Sequence, residues 1–266
     1  RRLVGVSTKM YFSAARTSDY ISSLVAHLAQ ASQAAASPSL LFSNIDIFVI
    51  PDHLTLAAAV AQLALAHDQQ RLPTPVLVGA QDAFWADAGA YTGCVSPAVL
   101  AELGCRIVEL GHAERRALLG ESNTDVARKA AAAVRNGMTP LLCIGETERA
   151  KGVLSMAVGD CAAQVNAVLA GEHALPPHAD VVLAYEPVWA IGAAAPASAE
   201  HVVAVVGALR ELPSVKARRE GSVRIIYGGS AGPGVFEQLK GVVDGLFLGR
   251  FAHDVEAFVQ TIHEVA

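Results

Sequence analysis

The stretch "VELGHAERR", from Val108 to Arg116, decides how the rest of the chain is read. A short strand-like run stops at Gly111, and a His, a Glu and two Arg follow within five positions. Taken alone, the polar cluster reads as a solvated loop that opens a helix. Its meaning depends on whether other apolar runs end in the same way. Parallel strands that close into a barrel deliver all their carboxyl ends to one face.

Similar runs recur along the chain: "RLVGV" (2–6), "DIFVI" (46–50), "PVLVG" (75–79), "RIVEL" (106–110), "TPLLCI" (139–144), "VVLAY" (181–185), "VRIIY" (223–227) and "GLFLG" (245–249). Most are near-continuous hydrophobics, as expected of parallel strands covered on both faces. Between them lie Ala-rich segments with helical spacing, among them 54–66, 124–136, 153–170 and 198–211. In "SNTDVARKAAAAVRNG", Asn123 or Thr124 can cap the start and Gly137 follows the end. The stretch at 29–44 reads as a helix end and a surface loop. Strands alternating with helices predict an α/β chain folded as one (β/α)8 barrel domain over residues 1–266. An open doubly wound sheet is the rival, but no G-x-G-x-x-G follows the first strand.

Composition narrows the function classes. The 266 residues are 53% hydrophobic and 17% charged, with a formal charge of −5. Basic residues gather only in "KARRE" (216–220), which disfavours nucleic-acid binding. Apolar stretches are interrupted before the ~18 residues a membrane span needs. Arg1-Arg2 leads into a strand and not a secretory signal. The cysteines at 94, 105, 143 and 161 have no metal-like or C-x-x-C spacing, so free thiols in a cytoplasmic setting are expected.

Read together, the strand ends bring Lys9, Gln81, His112, Cys143, Glu186 and Arg250 towards one mouth. Gly228-Gly229-Ser230 and Gly249 end the last two strands, where backbone N–H groups can face a phosphate. His53, beyond the second strand, reads as a helix-start or surface residue. "HAE" at 112–114 is followed by no P-C-x-x-C, so a zinc deaminase is not indicated and no metal is expected.

Five longer stretches then resemble, in order, the signature segments of triosephosphate isomerases. They are "VGAQDAFWADAGAYTG" (78–93), "CRIVELGHAERRALLGES" (105–122), "LLCIGET" (141–147), "AYEPVWAIG" (184–192) and "YGGS" (227–230). The resemblance implies a cofactor-free, cytoplasmic, homodimeric isomerase of a small phosphorylated sugar. It implies Glu186 as base, His112 as electrophile and Lys9 as the electrostatic group. Glu114 would support Lys9, and Cys143 would pack behind the base. Ser7, Gly192, Ser230 and Gly249 would bind substrate and phosphate, and Thr92 would touch the partner subunit. Such a set moves a proton between carbons by way of an enediol, converting dihydroxyacetone phosphate to glyceraldehyde 3-phosphate.

The departures are informative. Ser7-Thr8-Lys9-Met10-Tyr11 stands where the family has Asn-Trp-Lys-Met-Asn, and Ala113 where Ser is usual. The lid tip is Ala193-Ala194-Ala195, and Arg250 stands where a Gly is usual and can brace an anion. "VSTKMYFS" and "LFLGR" are similar to the tetrulose-phosphate isomerases, so a four-carbon ketose phosphate such as erythrulose phosphate is the alternative substrate. A catalytically silent binding barrel is the alternative of a different class. Retention of Lys9, His112 and Glu186 argues for the enzyme.

Overall fold

The computed structural model describes residues 1–34, 42–148, 154–220 and 222–266. Eight strands form: β1 (Arg2–Ser7), β2 (Ile45–Ile50), β3 (Val76–Ala80), β4 (Ile107–Leu110), β5 (Thr139–Ile144), β6 (Val181–Tyr185), β7 (Val223–Tyr227) and β8 (Gly245–Leu248). Each pairs in parallel with its neighbour in chain order, and β8 returns to β1 to close the barrel. The helices outside it are α1 (Ala14–Ala34), α2 (His53–Asp68), α3 (Pro97–Glu102), α4 (Ala113–Leu119), α5 (Asn123–Arg135), α6 (Leu154–Leu169), α7 (Ala199–Arg210), α8 (Pro213–Lys216), α9 (Val235–Leu239) and α10 (Val255–Val265). This is the (β/α)8 TIM barrel expected from the alternating runs.

The strands lack in/out polarity because both of their faces are buried. Leu3, Phe48, Ile50, Ile107, Leu141, Cys143, Val182, Ala184, Ile226 and Phe247 point inward and fill the barrel. Their neighbours in sequence, such as Val4, Ile47, Val49, Val108 and Leu142, point outward into the helix layer. Phe48 and Phe247 stack at 5.7 Å between ring centres. Phe48 lies so close to β1 that a side chain at Gly5 would come within 2.3 Å of its ring. Parallel register sets Ser7 opposite Ile50 and Glu109 opposite Leu141, which places both polar residues in the inward row nearest the carboxyl ends. At the opposite end, Asp46 accepts from Arg224 at 2.8 Å and pairs with Arg1 at 3.0 Å.

Several boundaries depart from the sequence reading. Helix α5 is capped not by Asn123 or Thr124 but by Ser122, whose hydroxyl accepts the Asp125 N–H while Asp125 accepts the Ser122 N–H. That reciprocal pair satisfies two orphan donors at once, so the two expected caps fall inside the first turn. Of the stretch 29–44, residues up to Ala34 continue α1 and residues 35–41 lie outside the described part. Residue 153 also lies outside it, and α6 runs from Leu154. Among the described residues, no helix is long and apolar enough to cross a membrane.

A buried charge cluster braces the loop that carries the opening motif. Lys129 of α5 donates to both oxygens of Asp82, at 2.9 and 3.0 Å, and also to Glu121. Arg115 of α4 reaches Asp82 at 2.7 Å and Glu121 at 3.4 Å. Burial pushes the Asp82 carboxyl up, and Lys129 and Arg115 only partly pull it back. Removing the Lys129 charge leaves Asp82 and Glu121 short of a cation in a dry environment. Lys129→Met is therefore expected to cost about 3–5 kcal/mol of stability. Urea unfolding at neutral pH checks this, and a loss below ~1 kcal/mol would show that the cluster does not act as a brace.

Candidate active site

A cavity of about 580 Å³ opens at the carboxyl ends of the strands. It brings together Ser7, Lys9, His112, Glu114, Glu186, Gly192, Ser230, Gly249 and Arg250 of the expected site residues. Cys143 lies below it, inside the barrel, and Thr92 is exposed on the β3–α3 loop outside the cavity.

Lys9 sits in the turn after β1 with a φ of 48°, a conformation that costs a residue with a Cβ about 1–3 kcal/mol. Gln81 holds the turn by donating to the Lys9 carbonyl at 2.8 Å. The Lys9 ammonium donates to Glu114 at 2.6 Å. Burial works against its charge, but the Glu114 contact, with Glu186 and Glu109 nearby, leaves its pKa raised. Burial likewise opposes the Glu114 carboxylate, and Lys9 and His112 leave its pKa lowered.

His112 is the residue before the first turn of α4, so its ring acts as the helix cap. Its Nδ1 accepts the Glu114 backbone N–H at 3.1 Å. An Nδ1 that accepts carries no proton, so the ring proton sits on Nε2. Nε2 faces the cavity, 3.9 Å from Glu186 Oε2. The gap is too wide for a hydrogen bond. A substrate oxygen fits there as the acceptor.

Glu186 follows β6, and its backbone N–H donates to Ile144 at 2.8 Å. Its Oε2 is buried without a hydrogen-bond partner, the condition of a carboxylate kept free to take a proton. Two glycines allow this placement. A Cβ on Gly228 would lie 2.3 Å from Glu186 Oε1, and one on Gly145 would lie 2.0 Å from the Glu186 carbonyl oxygen. Beneath, burial and then the Glu186 charge push the Cys143 thiol well up, so it packs as a neutral side chain.

After Glu186 the chain runs over the mouth as a lid that is held at both ends. Buried Glu146 accepts from Trp189 Nε1 at 2.9 Å and from Tyr185 Oη at 3.1 Å, and lies 2.9 Å from His201 Nε2. At the far end the Ala197 N–H donates to Tyr227 Oη at 2.9 Å. Ser230 Oγ donates to the Ala190 carbonyl at 2.8 Å, and Arg250 reaches the Gly192 carbonyl at 3.4 Å. The lid is thus tied to the glycine-rich turns after β7 and β8. His53 starts α2, as expected, with its ring 3.0 Å from the Asp82 carbonyl.

The sequence reading passed over two groups. Glu146 falls within "LLCIGET" (141–147), and nothing local signals that it anchors the lid. Glu109 was absorbed into an apolar run, yet it is 4% exposed, lines the cavity and accepts from Ser7 Oγ at 3.0 Å. The signal was present, because a charge inside a strand buried on both faces needs a reason.

A family profile described as triosephosphate isomerase matches residues 2–265. The L-erythrulose-1-phosphate isomerase of Pectobacterium atrosepticum is 47% identical over 256 residues, covering 96% of this chain and 92% of that protein. Proteins of the same name from Rhizobium meliloti and Brucella abortus are 40% and 39% identical, over 87% and 91% of this chain and 88% and 90% of their own. With the barrel and its mouth arranged as described, the chain is an isomerase and belongs to the triosephosphate isomerase family.

Proposed function

We propose that the chain isomerises a four-carbon ketose phosphate, L-erythrulose 1-phosphate, by proton transfer through an enediolate. The observation that carries the chemistry is the meeting of Lys9, His112 and Glu186 in one cavity, with Glu186 Oε2 buried and unpartnered. The choice of four carbons over three rests on the names of the relatives and on Ser7, whose small side chain leaves room beside Lys9.

In that substrate C1 carries the phosphate, C2 the carbonyl, C3 a hydrogen and a hydroxyl, and C4 a terminal hydroxymethyl. Glu186 removes the C3 hydrogen, and negative charge develops on the C2 oxygen. His112 Nε2–H and the Lys9 ammonium stabilise that charge, as preorganised donors do where charge appears in the transition state. His112 also moves the proton between the two enediol oxygens. Glu186 then returns its proton to C2, which leaves the carbonyl at C3 and gives the ketose whose phosphate is on C4. No oxidant or cofactor enters the balance.

The phosphate sits against the N–H groups of Gly192, Ser230 and Gly249, and the Arg250 guanidinium supplies a planar pair of donors. Closing the lid over it excludes water from the enediolate. The exposed Thr92 loop, and the apolar Met10, Leu118 and Leu119 lining a second cavity next to Lys9, support a homodimer in which each loop docks beside the partner's Lys9. The free cysteines, three of them buried, suit a cytoplasmic setting.

Coupled assays test the reading directly. kcat/KM on L-erythrulose 1-phosphate is expected to exceed that on dihydroxyacetone phosphate, and the reverse order would restore the three-carbon reading. Glu186→Asp withdraws the carboxylate by about 1 Å and is expected to lower kcat about 10²-fold or more. His112→Gln is expected to lower kcat more than it raises KM, because its contact strengthens as the oxyanion forms. Near wild-type turnover in either variant would remove that residue from the proton path.

A further inference from the structure

Glu109 is a buried acid in the reaction cavity to which the mechanism gives no task. It comes from β4, four places around the closed ring from β8, whose end carries Gly249 and Arg250. The phosphate-side residues Ser230, Gly249 and Arg250 line only the larger cavity. Ser7, Lys9, Glu109 and His112 line both that cavity and the second one beside it. Glu109 therefore stands across the mouth from the β8 turn, and Ser7, at the end of β1 next to β8, donates to it from across the cavity.

Only one of the Glu109 oxygens is engaged. Oε2 accepts the Ser7 hydroxyl at 3.0 Å, and Oε1 accepts no hydrogen bond from any described residue. Leu3, Ile107, Leu141 and Phe247 form the apolar floor beneath. A carboxyl at the foot of a cavity, with one oxygen open, is costly unless something polar meets it. Burial pushes its pKa up to about 7 against the pull of His112 and Lys9, with Glu186 adding to the rise. The group is thus partly protonated near neutral pH and can both donate to and accept from a hydroxyl.

We propose that Glu109, set by Ser7, is the specificity-determining residue that receives the terminal C4 hydroxyl of the substrate. The proposal rests on the four-carbon reading above. With its phosphate at the β7 and β8 turns and C3 beside Glu186, the substrate directs C4 towards Glu109 on β4. A triose phosphate has a hydrogen in place of that hydroxymethyl and leaves Glu109 unmatched. Sites built to bond a hydroxyl discriminate strongly against the analogue that lacks it.

The test compares kcat/KM on L-erythrulose 1-phosphate and dihydroxyacetone phosphate for the wild type, Glu109→Val, Glu109→Asp and Glu109→Gln. Glu109→Val and Glu109→Asp are expected to lower the tetrulose-to-triose ratio by about 10- to 100-fold, most of it lost from the tetrulose. Glu109→Gln keeps a donor and an acceptor at the same reach and is expected to hold the ratio within about 3-fold of wild type. If Glu109→Val does not fold, Glu109→Asp decides, since it keeps the carboxyl group and only shortens the arm. A ratio unmoved in the folded variants, with the wild type active on the tetrulose, would overturn the role of Glu109 alone. A wild type inactive on the tetrulose would overturn the four-carbon reading and this proposal with it.

Discussion

Closure of the barrel governs everything else in this molecule. Once β8 pairs with β1, every strand has one inward and one outward row, and a side chain's place is set by its parity in the strand. The inward rows of Leu, Ile, Val and Phe make a solid core, so the space left for chemistry lies above them, at the carboxyl ends. Lys9, His112 and Glu186 stand at or just beyond those ends on strands β1, β4 and β6. A slip of one residue in any of these strands would turn its functional group out of the cavity.

Precision at the mouth comes from backbone constraints more than from contacts between the catalytic side chains. The φ of Lys9 is held by Gln81, the His112 ring by the Glu114 N–H of α4, and Glu186 by the bare faces of Gly145 and Gly228. The Lys129, Arg115, Asp82 and Glu121 cluster holds the helix that His112 caps, so the imidazole orientation rests on a charge brace outside the cavity. Glu146 ties the lid root to β6 and α7 in the same manner.

The barrel was legible in the sequence because strands covered on both faces leave an unmistakable series of apolar runs at intervals filled by helices. The cavity was legible because its residues sit at the ends of those runs, where a count from the strand is enough. Caps were less legible: Ser122, Asn123 and Thr124 are all good capping residues, and only the reciprocal bond with Asp125 selects Ser122. Glu109 is hidden for the opposite reason, since Val108 and Leu110 on either side keep the apolar strand pattern intact despite the charge within it. Contacts such as Ser7 with Glu109, 102 positions apart, exist only after the ring closes and cannot be read from local pattern.

In the proposed reaction Glu186 lifts the hydrogen from C3 of a four-carbon ketose phosphate and hands it to C2. Proton NMR of L-erythrulose 1-phosphate incubated with the protein in D₂O tests this at the reacting atoms. The C3–H signal is expected to decay as erythrulose 4-phosphate appears, with deuterium entering C2 of the original skeleton, and both changes are expected to slow sharply in Glu186→Asp. Product formation that left Glu186→Asp at full speed, or a C3–H signal that persisted unchanged with no product formed, would contradict it.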